Sequence, residues 1–103
     1  MSEVLLNYAQ QVRNGLRVDP RVDRSPHVAL GLTGEAGEVA DLIKKSQYAG
    51  GTLDLPKLEE ELGDVLWYLQ AMLNFLGMSI EDLARENIKK LAIRRPDDYK
   101  EIP

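Results

Sequence analysis

The sequence predicts an all-α protein, an antiparallel four-helix bundle completed by oligomerisation. Three observations carry this expectation. Apolar residues recur at helical spacing in four segments, and no segment reads convincingly as a strand. The links between the segments are short, which favours antiparallel neighbours in a bundle. At 103 residues, the chain is expected to form one domain over 1–103. A chain this small buries a modest fraction of its surface, so self-association is part of the expectation.

The first helix should run from Ser2 to Asn14, with Val4, Leu5, Tyr8, Ala9 and Val12 on one face and Gly15 as its stop. Residues 16–25, "LRVDPRVDRS", read as an irregular link with Pro20 as a breaker. Ser25 then Pro26 read as an N-cap followed by proline at the first helical position. The second helix should span Pro26 to Tyr48 and end at Gly50-Gly51. The third should span Pro56 to Leu76, where Gly77 can supply a left-handed cap. Ser79 with Asp82 resembles a capping box, and the helix it opens should fade before Pro96. The tail "DDYKEIP" should be irregular.

Composition narrows the functions available. No cysteine is present, which removes disulfides, thiolate metal sites and cysteine nucleophiles, and suits a reducing cytoplasm. A net charge of −4 argues against a nucleic-acid coat. The N-terminus lacks the pattern of a signal peptide, and no apolar run approaches the ~18 residues of a membrane span. The single histidine, His27, cannot build a histidine-rich metal site.

The informative segments are "GLTGEAGEVADLIKK" (31–45) and "LEEELGDVLWYL" (58–69). In helix two, Leu32, Ala36, Val39 and Ile43 make the expected core stripe, with Glu35 and Glu38 on its border. In helix three, Leu58, Leu62, Val65, Leu69, Met72 and Leu76 make the seam. At about 100° per residue, Glu61 and Asp64 fall between that seam and a second apolar group of Trp67, Tyr68, Ala71 and Phe75. Glu59, Gln70 and Asn74 occupy the polar arc. Carboxylates flanked by apolar surface must protonate or find a partner. Two such pairs on adjacent helices would repel unless cations sat between them, and oxygen-only ligands suit Mg²⁺ or Mn²⁺. Magnesium commonly binds through carboxylates plus substrate phosphates, so a phosphate ester or anhydride is the expected substrate. Single E-x-x-E pairs are common solvated features of helices, and only the doubled pattern carries weight. Gly31, Gly34, Gly37 and Gly63 are expected to allow the close helix approach that brings the pairs together. These glycines do not form a P-loop, whose lysine-serine/threonine ending is missing.

With these two segments the chain resembles the MazG-like nucleotide pyrophosphohydrolases, an all-α superfamily related to the dimeric dUTPases. The resemblance runs from His27 to Tyr99 and includes the C-terminal "ENIKKLAIRRPDDY". It implies a Mg²⁺-binding bundle, with Mn²⁺ as a substitute, whose ligands are Glu35, Glu38, Glu61 and Asp64. It further implies cleavage of a nucleoside triphosphate between the α and β phosphates, and maps a phosphate-binding pattern onto Asn87, Lys90 and Arg94. Lys89 and Arg95 read better as basic residues favoured at a helix C-terminus. Glu35 is the candidate to orient or deprotonate the attacking water. Tyr8, His27, Trp67 and Asn74 are candidates for base contact, although Trp67 suits a core or interface and His27 a surface position. Two departures bear on substrate preference: Gly34 stands where many members have glutamate, and Arg95 where many have tyrosine.

The expected role is nucleotide-pool housecleaning by a cytoplasmic homodimer or homotetramer with no nucleic-acid or membrane partner. The alternative is a non-catalytic metal- or nucleotide-binding helical module acting through a partner. A di-iron oxidase is a poor match, because such bundles use Glu-x-x-His motifs and this chain has none.

Overall fold

Ser2 accepts a hydrogen bond from the Leu5 backbone N–H and opens the first helix, α1, Glu3–Gly15. In this computed structural model, which describes residues 2–19, 21, 23–48 and 50–103, three further helices follow: α2 (Ser25–Tyr48), α3 (Leu55–Leu76) and α4 (Ile80–Arg94). Among the described residues there is no strand. The all-α expectation holds, and the boundaries fall within a residue or two of those read from capping signals. Pro20, expected as a breaker, lies outside the described residues.

Local chemistry accounts for the helix ends. Ser25 lies inside α2 and is not its cap: the Asp23 carboxylate accepts from both the Ser25 N–H (3.0 Å) and its hydroxyl (2.8 Å). The Arg24 carbonyl then accepts the first helical hydrogen bond, from Val28. Asp54 caps α3 through the Lys57 N–H (3.1 Å), with Pro56 in the first turn. Gly77 adopts φ 67°, a left-handed conformation that residues with a Cβ rarely adopt. The Ser79–Asp82 capping box forms in both directions.

Helices α2 and α3 form an antiparallel hairpin, and α1 packs against α3. The register is read from facing residues: Gly31 meets Tyr68, Glu35 shares a hollow with Asp64, and Glu38 meets Glu61. Numbers rise along α2 as they fall along α3. The core lies at one end of this hairpin, where Val12, Val28 and Ala71 are fully buried among Tyr8, Leu16, Trp67, Tyr68 and Met72.

The expected apolar seams are only partly covered. Leu32, Val39, Leu58, Val65, Leu69 and Met72 are half-buried, whereas Ala36, Ile43, Leu62 and Leu76 are exposed. Conversely, Gln70 on the expected polar arc is 2 % exposed. Its amide donates to Asn74 Oδ1 (3.1 Å), and Asn74 donates to the Ala9 carbonyl (3.1 Å). Helix α1 therefore packs on the amide arc of α3, with its polar groups satisfied by hydrogen bonds.

Helix α4 leaves the other three. It forms no extended packing with any of them, and Ile93 is 78 % exposed. The radius of gyration is 16.5 Å, against about 13 Å for a compact domain of this length. The tail beyond α4 is irregular, as expected. Arg95 pairs with Asp98 (2.5 Å) and lies over the Tyr99 ring, and Arg85 donates to the Pro103 carbonyl (3.2 Å).

Candidate functional site

The α2/α3 hairpin turns two E-x-x-E/D patterns into one acidic groove. Glu35 and Glu38 are one helical turn apart on α2, and Glu61 faces them from α3. One carboxylate oxygen from each of these three lies within 4.8 Å of the others. Glu61 is 7 % exposed, Glu35 is half-buried and Glu38 is exposed. One oxygen of Glu35 and one of Glu61 are buried without a hydrogen-bond partner. Buried carboxylate oxygens without donors are unstable as they stand and call for a cation or a proton.

Both responses are visible in the electrostatics. A hydrogen bond shared with Glu61, and then the charges of Glu35 and Glu61, hold the Glu38 carboxyl above its ordinary value. The same hydrogen bond, followed by that of Lys57, holds Glu61 below its ordinary value. Of the two, Glu38 is pushed toward its protonated form and Glu61 toward its charged form. Lys57 Nζ lies 3.2 Å from Glu61 Oε1, and this pairing raises the lysine above its ordinary value.

Asp64 stands apart from the trio. It is exposed and lines, with Glu35, Trp67 and Tyr68, a shallow hollow of about 280 Å³. Glu35 therefore borders both the trio and the Asp64 hollow. The Trp67 and Tyr68 rings meet edge to face at 5.0 Å and 74°. Tyr8 of α1 belongs to the same neighbourhood: burial and then the Asp64 charge push its hydroxyl up, so it stays protonated and able to donate. On the other side of the trio, a second hollow of about 230 Å³ is lined by Glu38, Asp41, Leu42, Lys45, Lys57 and Glu61. The groove runs from an aromatic end, over the carboxylates, to a lysine-bearing end.

The remaining sequence candidates fall elsewhere. Asn87, Lys90 and Arg94 are exposed on α4; among the described residues no hydrogen bond, ion pair or common hollow joins them to the carboxylates. His27 is exposed, and Asn74 is tied to Ala9 on the α1 side. Lys57 went unnoticed in the sequence. Its signal was the i, i+4 spacing to Glu61, common on any helix.

The glycine expectation holds at one position of four. A methyl group on Gly31 would overlap the Tyr68 ring, so the two helices need glycine there. Gly34, Gly37 and Gly63 have nothing within 4 Å of where a Cβ would stand. Their side of the hairpin is open, so close approach within the chain does not explain them.

With this geometry in place, comparison with known proteins is decisive. Residues 24–98 match the family model of the MazG nucleotide pyrophosphohydrolase domain. The chain belongs to that family. The matched region covers the hairpin, all four acidic residues and α4. A curated relative is the Gene 37 protein of Mycobacterium phage L5, 36 % identical over 73 residues, covering 67 % of this chain and 64 % of the relative. The match thus spans less than two thirds of that relative's length. No solved structure matches.

Proposed function

We propose that this MazG-family chain hydrolyses nucleoside triphosphates between the α and β phosphates, giving the (d)NMP and pyrophosphate. The reading depends on Mg²⁺, with Mn²⁺ as a substitute. The observation that carries it is the convergence of three carboxylates from two helices, with two buried oxygens left without donors. This donor set fits a hard divalent cation, being all oxygen, partly anionic and only partly solvated. Glu35, Glu38 and Glu61 would hold it, with Asp64 completing the set beside Glu35.

When bound, such a cation neutralises phosphate charge and makes a coordinated water more acidic. The chain's own groups supply the rest. In this reading Glu35 accepts the proton of the water attacking the α phosphorus; its half-buried position between the trio and the Asp64 hollow supports that role. The water oxygen bonds to that phosphorus as the bond to the bridging oxygen breaks, and pyrophosphate leaves with the electron pair. Trp67 and Tyr68 offer an aromatic wall for the base, and the protonated Tyr8 hydroxyl is a hydrogen-bond donor near it.

Asn87, Lys90 and Arg94 enter this reading as phosphate-binding groups through a second copy of the chain. Helix α4 projects from its own protomer, and a homodimer or homotetramer would give it a groove to meet. The proposed role is housecleaning of the cytoplasmic nucleotide pool, with no membrane partner. No helix among the described residues is long and apolar enough to cross a membrane.

Glu38→Gln and Asp64→Asn test the assigned ligands. Each should abolish metal-dependent pyrophosphate release while circular dichroism stays helical. Full activity in both variants would sink the site.

A further inference from the structure

Helix α3 has a regular Asp54 cap, but its first turn departs from the usual charge pattern. Its first turn carries no acidic residue, and its third position, where a capping box would place glutamate, is Lys57. A lysine there faces the positive end of the helix dipole. Local rules are broken most often where function requires it. The Asp54 cap receives the Lys57 N–H and fixes that residue's backbone beside the groove.

The side chain makes a pair unlike its neighbours. Lys45 and Asp41, 2.9 Å apart, are both more than half exposed, an ordinary surface pair. Lys57 reaches Glu61, whose side chain is 9 % exposed and whose other oxygen is buried without a donor. Among the described residues, Lys57 is the sole cation in an ion pair with any of the four acidic residues.

We propose that Lys57 is a resident counter-ion: paired 3.2 Å from Glu61 Oε1, it holds that carboxylate in place before metal binds and competes with the metal for it. The inference rests on the metal-site reading above. A divalent cation bound at the trio repels the ammonium group, and the lysine-bearing hollow beside Asp41 and Lys45 leaves room for it to withdraw. Lys57 is a positioning residue that sets metal affinity.

The test is titration of the full chain with Mn²⁺ at neutral pH, followed by calorimetry and by the free-Mn²⁺ spin signal, for wild type, K57Q and K57R. Removing the competing charge should tighten Mn²⁺ binding in K57Q by roughly threefold to fivefold, with K57R close to wild type. Without metal, K57Q should melt below wild type, and saturating Mn²⁺ should erase the difference. Unchanged or weaker Mn²⁺ binding in K57Q, or a melting deficit that persists in Mn²⁺, would overturn the proposal. Wild-type protein that binds no Mn²⁺ would instead overturn the metal-site reading, and this inference with it.

Discussion

Glu38 and Glu61 show how one pair of like residues divides its roles. Glu38 titrates above its ordinary value, so the metal-free fold is penalised as pH rises past the unfolded carboxylate range and Glu38 is forced to ionise. Glu61 titrates below its ordinary value, so its contribution to stability is present at neutral pH and is lost on acidification through its folded value. Two outcomes follow at this scale. Under the proposed reading, metal and proton compete for Glu38, so Mn²⁺ affinity should fall as pH drops through the raised Glu38 range. A calorimetric series across pH would show it, and a flat profile would contradict the shared proton. Glu38→Gln should also raise the melting temperature of the metal-free protein at neutral pH while removing metal binding. That opposition of stability and function is expected where like charges are gathered for a ligand.

The helices themselves were largely legible, because their ends are written in short-range chemistry. Ser79 and Asp82 specify a cap within four residues, and Gly77 supplies the one backbone conformation that the turn needs. Ser79→Ala should cost about 1 kcal/mol of stability, measured by thermal or urea melting. Gln70 was not legible, since an amide on a helical wheel reads as polar surface; only the packing of α1 buries it against Asn74 and Ala9. The acidic trio was legible from doubled spacing, but the separation of Asp64 was not, because the offset between two helices is a tertiary property. Glycines divide in the same way. Gly31→Ala should destabilise by roughly 1–3 kcal/mol through its clash with Tyr68. Gly34→Ala meets open space and should gain up to about 1 kcal/mol of helix propensity. Melting both variants beside wild type checks the contrast.

At the scale of the molecule, the chain is a hairpin with one helix packed on it and an outlying arm. Isolated helices shorter than about 12–15 residues are marginal in water. Helix α4 has 15 residues, a good cap and little packing, while Leu30, Leu62, Phe75, Leu76 and Ile93 remain exposed across the molecule. A second copy would cover such surface and bring α4 to a groove, so sedimentation should report a dimer or tetramer. A monomer at micromolar concentration would leave Lys90 and Arg94 without a role at the phosphates. The most direct measurement is pyrophosphate release from a panel of canonical and modified NTPs and dNTPs, with Mg²⁺ and with chelator. Metal-dependent pyrophosphate from one or a few of them is the predicted result. Folded protein that binds nucleotide yet releases no pyrophosphate from any of them would contradict a catalytic role and leave a binding module.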